Sequence, residues 1–246
     1  MSDVAVTIET ADGVADAHLS TPEGVGPWPA VIMFTDIFGV RPTFLQMAAR
    51  LAAEGFAVLL PNHFYRVAPA PVPMPQGTFA DPAFREAMMA LKNGVTPDRV
   101  RTDIGAMLDW LQTQPQVSTG KVGLLGYCMT GSFALRGAAY FPARVAAAAS
   151  FHGGGLATDA PDSPHRLAKA IKAPLVIGHA TDDMQMPAEA IAVLNRALDD
   201  AGVAHDSEIY PAGHGWCVPG SPAYDEAQAG RAWAKMVALF KRQMAA

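Results

Sequence analysis

The stretch GLLGYCMTG, residues 123–131, sets a thiol between an apolar run and an Ala-rich segment. A cysteine there has two readings. It is a small buried hydrophobe, as free cysteines commonly are, or a nucleophile carried on a sharp strand-to-helix turn. KVGLLG reads as a strand, and the segment from about Met129 to Tyr140 as a helix, so Cys128 stands at the corner. Gly126 permits a tight turn there. The N-terminus of the following helix aims backbone N–H groups at the sulfur and favours the thiolate, the species that reacts. Such a nucleophile needs a base, and the base needs an orienting acid. HATDDMQMP follows the run PLVIG, and PAGHGWC follows EIYP. Asp182 or Asp183, then His214 between two glycines, therefore lie past two further strand ends, in the order nucleophile, acid, histidine. The chemistry open to such a trio is acyl transfer through a thioester.

These side chains need a scaffold that brings distant strand ends together. Val4 to Thr10 and Val14 to Ser20 alternate apolar and polar residues around ADG, and read as an N-terminal β-hairpin. Apolar runs at 30–35, 56–61, 121–126, 145–151 and 174–179, with a more polar one at 205–211, read as strands buried on both faces of a mostly parallel sheet. Helical patterns separate them. Pro42 opens one that Gly55 closes. Thr96 and Pro97 cap and start another, with Val100, Ile104, Met107, Leu108 and Leu111 on one face. Pro187 opens a third, with Ile191, Leu194 and Leu198 inward and Gly202 beyond its end. A last helix runs from about Pro222 to near Lys241. The alternation predicts a doubly wound α/β sheet, one domain over residues 1–246, with its functional residues at the carboxyl ends of the strands. RVAPAPVPMPQGTF, residues 66–79, holds four prolines and reads as a long surface loop leading into a helix near Asp81 to Lys92.

The totals exclude other classes. The chain has 246 residues, is half apolar and carries a net charge of −5 without a basic block, which argues against nucleic-acid or anionic-membrane partners. Two cysteines are too few for a disulfide framework. The N-terminus has no apolar signal core and no run is long enough to span a membrane, so a cytoplasmic protein is expected. No histidine or cysteine pair has zinc spacing, and the GGG at 153–155 is no dinucleotide fingerprint, so neither a metal nor a cofactor is expected. His152, in FHGGG, has two readings: first a structural residue bonding the backbone of its Gly-rich turn, and second a side chain pointing into the same cleft. Cys217 is given no chemistry.

The stretches TDIFGVRP, GYCMTG, ASFHGGG, DDMQMP and AGHG resemble the dienelactone hydrolase family, a cysteine branch of the α/β-hydrolases, over nearly the whole chain. The resemblance implies an α/β-hydrolase fold, with Cys128 as nucleophile and His214 as base. The acid of the pattern D-x-x-V/M-P falls on Asp183. It also implies an oxyanion hole from the backbone N–H groups of Met129 and Ile37, and a catalytic carboxylate at Asp36, where the best-known members have glutamate. Two further departures stand out. Thr130 occupies a position where the family usually has glycine, which predicts looser packing of helix on strand. Val218 replaces an arginine that helps bind the substrate carboxylate, which points away from the usual dienelactone. The expected activity is hydrolysis of a carboxylic ester or lactone through an acyl-cysteine, in a monomer or small homo-oligomer whose partner is a small-molecule substrate. A thioester or activated aryl ester on the same machinery, or a binding protein that kept the fold without turnover, are the other readings.

Overall fold

The computed structural model describes residues 2–245. Eight strands form one sheet: β1 (Ser2–Thr10), β2 (Gly13–Thr21), β3 (Ala30–Met33), β4 (Ala57–Pro61), β5 (Val122–Tyr127), β6 (Val145–Phe151), β7 (Leu175–Ala180) and β8 (His205–Tyr210). Their spatial order is β1-β2-β4-β3-β5-β6-β7-β8. β1 and β2 make the expected antiparallel hairpin, and β2 pairs antiparallel with β4. From β4 onward every pairing is parallel. The chain reverses direction of travel across the sheet at β3, so the ends of β3 and β5 lie side by side. That crevice is where open α/β sheets gather ligands.

Among the described residues six α-helices cover the two faces: α1 (Pro42–Ala53), α2 (Pro82–Gly94), α3 (Pro97–Gln112), α4 (Gly131–Tyr140), α5 (Ala188–Asp200) and α6 (Glu226–Met244). Adjacent residues of one strand feed opposite cores, because side chains alternate across a sheet. Ile32, Leu124, Ala148 and Ile177 join one apolar layer with residues of α3, α4 and α5. Val31, Leu125, Ala149 and Val176 join the other, with Phe44 and Leu51 of α1 and Trp233 and Phe240 of α6. The expected inward faces of α3 and α5 are the buried ones. Thr96 caps α3 by accepting the Arg99 N–H. α6 begins at Glu226 rather than near Pro222, because Asp225 caps it by accepting the Gln228 N–H. Among the described residues no helix is long and apolar enough to cross a membrane.

The proline-rich segment is fixed at both ends. Arg66 makes paired hydrogen bonds to Asp103 of α3, at 2.8 and 2.7 Å. At the far end Phe79 packs edge-on against both Phe84 of α2 and Phe38, which follows β3. The segment thus reaches the edge of the sheet where β3 and β5 end.

Candidate active site

The corner after β5 is built by close approach. Cys128 has φ of +56°, a left-handed conformation uncommon for any residue but glycine and often found where function requires it. A Cβ on Gly126 would stand 2.0 Å from the Thr130 carbonyl oxygen, so only glycine fits two residues before the thiol. A Cβ on Gly131 would stand 2.4 Å from the Ser150 hydroxyl of β6, which lets α4 begin tight against the sheet. Thr130 does not loosen this packing, as its residue type suggested. It is fully buried. Its hydroxyl donates to the Thr35 carbonyl at 2.6 Å and accepts the Tyr127 N–H at 2.9 Å.

His214 and Asp183 arrive from the ends of β8 and β7. The His214 loop is anchored by Trp216, fully buried and stacked on Tyr210 with centroids 4.3 Å apart. The Thr181 N–H donates to the Ala212 carbonyl at 2.9 Å and ties the two loops together. Asp182 takes φ of +53° and turns to solvent, while Asp183 is buried. Asp183 accepts the Gln185 N–H on one oxygen at 2.9 Å and meets His214 Nδ1 with the other at 2.6 Å. His214 Nε2 lies 3.1 Å from Cys128 Sγ. Thiol, imidazole and carboxylate therefore form one chain of hydrogen bonds across three strand ends.

The electrostatics suit proton traffic along that chain. Burial opposes a charged His214, but the hydrogen bonds with Asp183 and Cys128 outweigh it and raise the imidazole to about 10. Burial also opposes an ionised Asp183, yet the hydrogen bonds from His214 and the Gln185 N–H hold it below its ordinary value. Cys217, the other thiol, is pushed well up by burial in the core and is unsuited to attack.

Ile37 follows β3, beside the end of β5 that carries Met129. Among the described residues, no protein acceptor takes the N–H of either. Asp36 is clamped instead of free. Both its oxygens receive Arg41, at 2.6 and 2.7 Å, and one also accepts the Phe38 N–H at 2.9 Å. The thiol bonds to His214 and not to this carboxylate. Arg41 had no signal in the sequence beyond its position in the same short turn.

His152 departs from the first of its two readings. Its backbone N–H does bond the Gly178 carbonyl, at 2.7 Å, but its imidazole holds none of the turn. The ring is buried edge-on against His214, with centroids 4.9 Å apart, and neither nitrogen has a hydrogen-bond partner among the described residues. Burial, with the nearby His214 charge adding to it, lowers this imidazole to about 3, so it is neutral at ordinary pH. Cys128 Sγ and one ring nitrogen from each of His152 and His214 lie within 4.8 Å of one another. No pair spacing in the sequence announced these donors, because each comes from a different strand end. Val218, at the position of the expected substrate-binding arginine, is buried in the core and offers no charge.

Comparison with known proteins comes to the same place. The profile described as dienelactone hydrolase family matches residues 15–244. A Rhodococcus opacus protein described as carboxymethylenebutenolidase is 31% identical, over 95% of this chain and 88% of its own. A Synechocystis protein given that name provisionally is 30% identical, over 97% of this chain and 96% of its own. A crystal structure from Klebsiella pneumoniae, provisionally described as a dienelactone hydrolase, superposes with a TM-score of 0.85 at 22% identity, covering 98% of this chain and all of that one.

Proposed function

The chain belongs to the dienelactone hydrolase family and is a carboxylic ester hydrolase, and from that premise we propose that it cleaves an ester or lactone through an acyl-cysteine intermediate. The observation that carries this reading is the hydrogen-bonded chain Cys128–His214–Asp183, at 3.1 and 2.6 Å. Cys128 Sγ attacks the carbonyl carbon as a thiolate, with its proton on His214. The negative charge that develops on the carbonyl oxygen is taken by the N–H groups of Ile37 and Met129. His214 then gives its proton to the leaving alkoxide, and the acyl group stays on sulfur. Water, deprotonated by His214, attacks the thioester and restores the thiol. Asp183 keeps the imidazole in the tautomer that presents Nε2 to the sulfur and stabilises its charged form.

Asp36 serves this reaction through the turn it shapes. Pinned by Arg41 and by the Phe38 N–H, its carboxylate sets the path of the residues that carry the Ile37 N–H. A groove of about 250 Å³ opens beside Met129, lined in part by Lys92, Val95, Phe133 and Arg136, and neither Cys128 nor His214 lines it. With Val218 in the core, a carboxylate on the substrate has no cation at that position, so a neutral ester or lactone fits better.

The test is hydrolysis of a chromogenic acyl ester, with mass spectrometry of protein quenched during turnover. We expect an acyl adduct on the Cys128 peptide, and loss of activity with retained fold in Cys128→Ala. An adduct confined to Cys217, or full activity in Cys128→Ala, overturns the mechanism.

A further inference from the structure

Beyond catalysis, we propose that Cys128, His152 and His214 form a three-ligand site for a thiophilic divalent cation such as Zn2+, whose binding caps the thiol and reversibly blocks attack. The three donor atoms already lie within 4.8 Å of one another, and the sulfur and His214 Nε2 are 3.1 Å apart. Tetrahedral zinc holds sulfur at about 2.3 Å and imidazole nitrogen at about 2.0–2.1 Å, so its bound donors stand roughly 3.5 Å from each other. Closing on a cation therefore asks His152 to move toward the other two donors, from a separation of no more than 4.8 Å.

Two features of the site suit a cation, the second of which also serves the hydrolase reading. The first is His152 itself. Its imidazole is 1% exposed, and neither nitrogen has a partner among the described residues. Other buried polar atoms, among them His63 Nε2 and His179 Nδ1, also lack a partner, but among the described residues only His152 lacks one at both ring nitrogens. One of those nitrogens lies within 4.8 Å of the thiol sulfur and of a His214 nitrogen. The second is Asp183. It holds His214 Nδ1 at 2.6 Å and so turns Nε2 toward the sulfur. Metal-bound histidines are oriented by a carboxylate in this same way. One thiolate and two imidazoles suit zinc far better than calcium or magnesium, which prefer oxygen.

The step balances simply. Coordination takes Cys128 as the thiolate and each imidazole through an unprotonated ring nitrogen, so binding releases to solvent whatever protons those atoms carry, and no electrons are transferred. Because the site needs no substrate, cation binding is tested on the free protein apart from the hydrolase mechanism, while the blocking of attack rests on Cys128 being the nucleophile.

The experiment is a titration of the reduced protein with Co2+, followed by Zn2+ competition against a chromogenic chelator and zinc-edge X-ray absorption of the loaded protein. We expect a thiolate-to-cobalt charge-transfer band in the near ultraviolet, tetrahedral bands in the visible, and a zinc shell of one sulfur and two imidazole nitrogens. Cys128→Ser should remove the charge-transfer band. His152→Phe, with His152→Gln as a second variant, should weaken Zn2+ at least about tenfold, since even outer-shell partners of a metal are worth that much. Equal affinity in wild type and both variants overturns the proposal. So does a wild-type zinc shell with fewer than two imidazoles, which decides the matter even if neither variant folds.

Discussion

The Thr130 hydroxyl donates to the carbonyl of Thr35 at 2.6 Å, joining residues 95 positions apart in the chain. One hydrogen bond thus links the turn that carries the thiol to the strand end that carries Ile37. The same oxygen accepts the Tyr127 N–H. A glycine in its place would leave two buried backbone groups without a partner.

Thr130→Gly should therefore destabilise the protein by about 1–3 kcal/mol, the usual cost of orphaning buried polar groups. Thr130→Ser, which keeps the oxygen, should recover much of that loss. Urea unfolding of the three proteins checks this. Equal midpoints would mean that the bridge to Thr35 contributes nothing.

The two adjacent aspartates should separate sharply. Asp183→Asn removes the acceptor that fixes His214 and should lower turnover by a factor between about 10² and 10⁴, the upper figure being the loss known for the same change in a serine triad. Asp182→Asn alters an exposed residue at φ of +53°, a conformation that asparagine tolerates, and should leave kcat within about twofold. Steady-state kinetics on both variants decides between them.

His214 should hold its proton to about pH 10 in the resting protein. Nitrogen-detected NMR titration of the imidazole reads this directly. Cys128→Ala removes one of the two hydrogen bonds that raise the value, and Asp183→Asn weakens the other, so each variant should titrate lower than wild type. The sign for stability follows. A histidine whose folded pKa lies above its unfolded value of about 6.5 contributes in full below that pH. The contribution fades as pH rises through about 10. The stability gap between wild type and His214→Gln should accordingly narrow from pH 7 to pH 10. A gap that widens over this range contradicts the assignment.

Asp36 and Arg41 should behave as one unit. If both act by shaping the turn that presents the Ile37 N–H, Asp36→Ala and Arg41→Ala should each lower kcat by about 10- to 10²-fold. That is less than the 10²–10³ that follows outright loss of an oxyanion donor. The double variant should be no worse than either single one. Iodoacetamide alkylation of Cys128 at fixed pH provides the contrast. A change in alkylation rate with Asp36→Ala but not with Arg41→Ala would mean that the carboxylate acts on the sulfur directly.

Much of the molecule was legible in the sequence, because it rests on local rules. Apolar runs of strand length, proline and threonine at helix starts, and glycine beyond helix ends fixed the alternation of strands and helices. Cys128, the DD pair and His214 were visible because each sits in a glycine- or turn-rich stretch directly after a strand, and a parallel sheet delivers all such ends to one edge. The tertiary structure decided what these groups touch. Asp182 and Asp183 are chemically identical neighbours, and only the left-handed turn at Asp182 sends one to solvent and the other to His214. Thr130 read as a misfit until its hydroxyl met a carbonyl from another strand. Asp36 stood only as a catalytic carboxylate implied by the resemblance, and its carboxylate pairs with Arg41 from the start of α1. His152 read first as a turn residue, yet its imidazole is shut in beside His214 with no hydrogen-bond partner for its ring nitrogens among the described residues. For the aspartates and Thr130 the outcome depended on which of several polar groups came within about 3 Å, and for His152 on none doing so. That distance is set by packing between segments far apart in the chain, where residue type and spacing carry no information.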